Sequence, residues 1–335
     1  FMIPNTVVSI GNSAFQSCGN LTSISIPSSV TSIGNNAFQS CSALTTITIP
    51  NNVTGLGSGV FQNCWALTSV TISNGITSLG SSVFSGCSKL TSMNIPNSVT
   101  SIASGAFQNC SLLTTLIIPN SVTSIGAGSF GGCSGLTSFT IPNGITAIND
   151  GTFGGCSALA SVGIPNGVTS IGNYAFQNCS ALTNITIPSS VTNLGAYVFN
   201  NCSALTSVII PNSITSIPSF TFRGCSALVS ITLPDSITSL AGWAFLNCSG
   251  LTDVYFQGNA PSYNSAYLDF SGCNLATAYY TSGTSGWTNT FDGIPTALYG
   301  SIPPPTPPAL GISTYGGSNP TVFFPTATGI NFVLQ

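Results

Sequence analysis

Histidine and glutamate are absent from this 335-residue chain, and Lys89 and Arg223 are its only basic residues. The acids are Asp150, Asp235, Asp253, Asp269 and Asp292, so the formal net charge is −3. Each absence excludes a chemistry. Without His there is no Ser-His or Cys-His pair to activate a nucleophile. Without a basic patch nothing neutralises a phosphate backbone, so nucleic acid is excluded as a partner. Glycoside hydrolysis needs two carboxylates about 5–10 Å apart. The five Asp fall at different phases of the chain's periodicity; Asp235 and Asp253 stand five phase positions apart. They are therefore expected singly, in turns or on the surface. The expectation is a protein that is not an enzyme and holds no cofactor. No run of 18 apolar residues occurs either, which predicts no membrane-spanning segment. Charged residues make up 2 % of the chain, against roughly 25 % in ordinary soluble domains. Its surface must be wetted by hydroxyls and amides, and it lacks the charge repulsion that opposes self-association.

What is present is periodic. Cys18, Cys41, Cys64, Cys87, Cys110, Cys133, Cys156, Cys179, Cys202, Cys225 and Cys248 are spaced 23 residues apart. A Phe stands three residues before each, from Phe15 to Phe245. A Pro column begins at Pro4, Pro27 and Pro50, is broken by Ser73, and resumes from Pro96 to Pro234. Three residue types held in phase over eleven copies mark a repeat architecture. Within one copy, Ser23-Ile24-Ser25-Ile26 alternates polar and apolar, which is strand patterning. Pro27 removes a backbone donor and ends the strand. Val30 and Ile33 are further inward anchors, and Gly34 turns the chain at low steric cost. Ala37, Phe38, Cys41 and Leu44 have a helical or 3₁₀-like spacing. The prediction is one strand and one short helical turn per coil, with coils stacked so that each buries its neighbour's apolar residues.

The pattern Leu21-x-x-Ile24-x-Ile26-Pro27-x-x-Val30-x-x-Ile33-Gly34-x-x-Ala37-Phe38-x-x-Cys41 resembles the BspA-type leucine-rich repeat of bacterial surface proteins. The resemblance covers about residues 1–256. It implies a leucine-rich-repeat solenoid with a parallel β-sheet on one face and short helical or 3₁₀ turns on the other. It also implies a secreted or surface-attached protein used for adhesion or binding. Residues 257–300 leave the 23-residue phase and resemble the closing segment of such proteins, with Phe270 and Cys273 in a stretched last coil. Pro-rich residues 301–308 read as a stiff linker. Residues 309–335 hold two strand-like pieces, one with Val322, Phe323 and Phe324, the other with Phe332. The chain opens inside a repeat at Phe1 and ends inside a strand-like run. An upstream part is thus expected, as is a tail that is incomplete or completed by another chain.

Three features bear on sites. One Cys per coil without His does not suit a metal. Stacked Cα atoms about 5 Å apart would allow disulfides, whereas side chains running parallel in a column favour buried thiols. The strand face carries a mixed Ser/Thr ladder, broken by Asn94, Ile117, Gly163 and Ile209, which reads as a solvated sheet face. Finally, the residue before the inward Ala is small or polar in the first seven copies and then becomes Tyr174, Tyr197, Phe220 and Trp243. These rings either pack under the C-terminal segment or form an interface with another chain. In the second case the partner could be the glycine-lined groove of another copy, an open-ended contact that builds filaments. The low charge, the open first coil and the tail favour an extracellular structural protein that assembles with copies of itself. The alternative is a monomeric adhesion module that presents its sheet face to a glycan or a host or matrix protein.

Overall fold

Alternation of exposed hydroxyls with buried aliphatics sets the first strand of each coil, as in Thr46–Thr48, where Ile47 points inward between two exposed threonines. In the computed structural model, which describes residues 1–300, these strands pair in parallel with a register of one repeat. Thr46, Ile47 and Thr48 stand opposite Ser69, Val70 and Thr71. A second strand follows the proline turn and was not anticipated. It is two residues long, as in Ser78–Leu79, Ser101–Ile102 and Ser124–Ile125, and also pairs in parallel with its counterpart one coil on. The inward aliphatic at Ile33, read from the sequence as an anchor only, is the centre of this second ladder.

The expected helical turn is absent: among the described residues there is no helix. The segment around Ala37–Cys41 is instead a third hydrogen-bonded ladder. Asn36, Phe38 and Ser40 donate their N–H groups to Ser58, Val60 and Gln62 of the next coil, at 2.9, 2.9 and 2.7 Å. The intervening Gln39 and Cys41 donate three residues back, to Asn36 and Phe38. An α-helix needs every N–H turned the same way along its own axis. Here alternate amides are turned out toward the neighbouring coil. Asn36 and Ser40 accomplish this with φ of 56° and 59°.

The interior is a set of columns. Phe38 to Phe245 are wholly buried, and their rings stack with centroids 5.3–5.8 Å apart. Phe270 continues the stack at 5.0 Å from Phe245. Gly34 has a different role from the one expected. A Cβ there would lie 2.7 Å from the Asn12 amide nitrogen of the preceding coil. Close approach of the coils, not a turn conformation, requires glycine.

The last coils depart from strict repetition. The final sheet orders Ser230–Leu233, Asp253–Phe256, Thr277–Thr281, Ile294–Tyr299 and Thr290–Phe291. Thr290–Phe291 pairs antiparallel with Ile294–Tyr299 and closes this end of the sheet. Trp287 packs on Phe256, Tyr280 and Phe291, with centroids 4.9, 5.0 and 5.3 Å away. The Pro-rich stretch 301–308 and the segment 309–335, with Val322, Phe323, Phe324 and Phe332, lie outside the described residues.

Candidate binding surface

The four aromatics singled out in the sequence share one phase of the repeat, and the fold brings them together on the flank of the rod. Tyr174 and Tyr197 have ring centroids 4.8 Å apart, Tyr197 and Phe220 4.5 Å, and Phe220 and Trp243 5.1 Å. Tyr267, which the sequence reading missed, extends the stack at 4.5 Å from Trp243. It lies 24 residues after Trp243, one residue out of phase. The Arg223 guanidinium stands 5.8 Å from the centre of the Phe220 ring. Trp243 thus packs against the closing segment, while Tyr174, at the far end, is 43 % exposed. All four occupy a left-handed backbone position, with φ between 58° and 63°. Glycine fills it in several other coils, including Gly128 and Gly151. A bulky residue there costs about 1–2 kcal/mol, and ring stacking of about 0.5–1.5 kcal/mol per pair offsets it.

The stack stops at Tyr174 because the next two coils toward the N-terminus lack side chains at three phases together. Their outer turns read Gly128, Gly131 and Gly132, then Gly151, Gly154 and Gly155. The result is a trench of about 390 Å³ on the same flank. Gln108 and Asn109 bound it at one end, and Tyr174, Gln177 and Asn178 at the other. In the first coils the corresponding glutamines form an amide ladder: Gln16 donates to Gln39 and Gln39 to Gln62, at 2.7 and 2.9 Å. Ser85 ends that ladder one coil on, and Gly131 and Gly154 leave Gln108 and Gln177 without a neighbouring amide at this phase across the trench. Among the described residues, the side chains of Gln108, Asn109 and Gln177 make no hydrogen bond. Asn178 accepts one, from Asn201 at 3.0 Å.

The cysteines form a column of free thiols, buried from Cys41 through Cys273, with Cys18 exposed. Each buried Sγ donates to the carbonyl of the Phe in the preceding coil. Cys64 reaches Phe38 at 3.1 Å, Cys156 reaches Phe130 at 3.2 Å, and Cys273 reaches Phe245 at 3.1 Å. Burial pushes the Cys41 thiol up to about 11 and the Cys64 thiol up to about 12. A buried thiol of this kind is unreactive. No group of three or more potential metal ligands gathers among the described residues.

The expectation that the Asp stand singly, in turns or on the surface, is corrected at two positions, which lie in turns but are buried together. Asp269 is wholly buried, and Asp292 is 3 % exposed. The Asp269 N–H donates to Asp292 Oδ2 at 2.6 Å, and Asp269 Oδ1 accepts the Ala244 N–H at 3.0 Å. Asp269 Oδ2 and Asp292 Oδ1 have no hydrogen-bond partner. Burial, reinforced by the Asp292 carboxylate beside it, holds Asp269 up to about 7, and burial also raises Asp292. The signal was legible: Asp269 precedes Phe270 as Ala37 precedes Phe38, so it occupies the inward column. The pair lies inside the closing segment, and Asp292 borders a cavity of about 310 Å³ there. Asp150 and Asp235, by contrast, are exposed.

A parallel solenoid of 23-residue coils with a column of Leu and short β-ladders defines a leucine-rich-repeat protein. The BspA type leucine rich repeat region matches the chain over residues 1–114, 55–183, 101–219 and 169–293, and the chain belongs to that family. A leucine-rich repeat protein from Bacteroides ovatus is similar over 89 % of this chain and 83 % of its own, with 29 % identity and a TM-score of 0.71. A protein from Faecalibacterium prausnitzii, described as a leucine rich cell surface protein, is similar over 84 % of this chain and 87 % of its own. Its identity is 28 % and its TM-score 0.52. A leucine-rich repeat protein from Eubacterium ventriosum, 21 % identical with a TM-score of 0.50 over 88 % of this chain and 86 % of its own, shares the fold. None of the curated proteins matches the chain. Leucine-rich-repeat families are generally non-catalytic, and this family suggests a surface or binding protein. No helix among the described residues is long and apolar enough to cross a membrane.

Proposed function

We propose that this chain is a non-enzymatic rod displayed outside a bacterial cell, and that it binds partners along its flank. The observation that carries this reading is the stack from Tyr174 to Tyr267. Aromatic rings held on a rigid scaffold present large contact area at low entropic cost, the usual composition of a binding hot spot. The description of the similar Faecalibacterium protein as a cell surface protein supports the placement. The framework repeats from coil to coil, so a specific partner must be read where the coils differ. Here the coils differ on that flank.

A second reading is assembly of copies into a filament or surface layer. The chain's 2 % charge favours it, because like copies meet little repulsion. Negative-stain microscopy of the purified chain, paired with retention on immobilised mucin and immobilised collagen, separates the two. Dispersed rods retained on either surface are expected. Long fibres would displace the binding reading in favour of assembly, and dispersed rods retained on neither would overturn both.

A further inference from the structure

We infer that the trench between Gln108 and Tyr174 is a saccharide-binding site, with Tyr174 as its stacking platform. This rests on the reading that the flank binds partners, and it names both the place and the ligand chemistry.

The stack of rings has an unfilled position. Tyr197 covers one face of Tyr174 at 4.8 Å. The other face looks over the coil where Gly151 stands at the same phase, and a Cβ at Gly151 would meet nothing within 4 Å. A Cβ at Gly128, one coil further on, also meets nothing within 4 Å. The ladder therefore ends on a free aromatic face in open space rather than against protein. What fits is a flat group with a weakly positive surface, since the ring face is the negative pole of its quadrupole. The C–H face of a pyranose is such a group.

The rest of the lining selects among ligands with that face. Gln108, Asn109 and Gln177 carry side-chain amides with no hydrogen bond among the described residues, so each offers donors and an acceptor to hydroxyls. The N–H groups of the six floor glycines all bond within the fold, so polar recognition falls to these side-chain amides. The trench is two coils long, about 10 Å, which accommodates two sugar rings. The lining carries no charged side chain. Asp150, next to Gly151, has one carboxylate oxygen on the Asn173 amide at 2.7 Å. An anionic ligand finds no counter-charge here, so the ligand is a neutral saccharide. At about 390 Å³ the trench falls within the size range of small-ligand sites.

The test uses the full chain and five neutral oligosaccharides: cello-, malto-, xylo- and mannotetraose and tetra-N-acetylchitotetraose. Saturation-transfer NMR identifies binders and calorimetry measures them. At least one is expected to bind in the micromolar to millimolar range. Tyr174→Ser removes the platform, and Gly151→Tyr fills the vacant stacking position; each should weaken binding tenfold or more. The filled variant keeps the fold, because Tyr174 and Tyr197 hold the same left-handed position with φ of 58° and 59°. Thr48→Ser, on the strand face, should leave binding unchanged. Binding of none of the five would overturn the assignment, as would binding indifferent to both groove variants. Concentration-dependent dimers abolished by Gly151→Tyr, without sugar binding, would give the trench to a second copy instead. If the rod is retained on mucin or collagen but takes up no free oligosaccharide, this assignment fails while the binding reading stands. Failure of both measurements removes both.

Discussion

A buried thiol needs an acceptor for its proton, and in each coil the Phe carbonyl of the preceding coil supplies one. The Cys column is therefore an ordered set of weak hydrogen bonds inside an apolar core. In native protein a maleimide should label Cys18 alone, and the remaining eleven thiols should react only after unfolding, as counted by mass spectrometry. Rapid native labelling of more than one thiol would contradict the burial described. The Asp269–Asp292 pair makes a second residue-scale prediction. The native state holds the Asp269 proton more tightly than the unfolded chain does, with pKa raised from 3.8 to about 7. Stability from this group is thus fully present below about pH 4 and is lost as pH rises toward 7. The melting temperature should fall across that window, and Asp269→Asn should flatten the fall, because an amide stays neutral and its oxygen can still accept the Ala244 N–H. A wild-type melting curve independent of pH would refute the assignment. Columns of Cys, Phe and Pro were legible because identical residues recur at one spacing. Asp269 was overlooked because the stretched coil shifts it two residues from the expected phase.

At the scale of the element, the sequence pattern reported the inward face correctly and the backbone incorrectly. Ala37, Phe38, Cys41 and Leu44 do point into the core. Their spacing suits a helix, but it equally suits a chain in which alternate amides bond outward to the next coil. The deciding residues are Asn36 and Ser40, whose left-handed φ no periodicity of apolar residues encodes. The second strand was hidden for a related reason: two residues, Ser32–Ile33, are too few to show alternation. The aromatic column was visible as a change of type at one phase, but its continuation through Tyr267 required the geometry of the closing segment. Energetically, the elements are held by what they jointly bury. Phe153 contacts Phe130 and Phe176 in the stack, with Phe139 edge-on against it, at 5.6, 5.4 and 4.9 Å. Phe153→Ala should cost about 3–5 kcal/mol, measured by urea denaturation. A loss under about 1 kcal/mol would mean that the column collapses around the gap.

For the whole molecule, stability is a sum over neighbouring coils, so it need not be even along the rod. The two coils with the glycine trench carry no side chains over their outer turns at three phases. Hydrogen exchange should report this: the amides of Gly132 and Gly155 are expected to exchange faster than those of Ser40 and Asn63, although all four bond to the next coil at 2.6–2.7 Å. Equal protection along the flank would show that the backbone ladder alone sets local stability. The same organisation has a mechanical consequence. Three backbone ladders, two of strands and one of alternating turns, hold each coil to the next, and their hydrogen bonds lie along the rod axis. A force applied between the ends therefore does not shear many bonds at once. It peels one coil at a time, releasing 23 residues, or about 70–80 Å of chain, per event. Held by its ends in flowing liquid, such a rod would yield as a series of small, re-formable extensions, behaving as a tether that lengthens under load before it lets go.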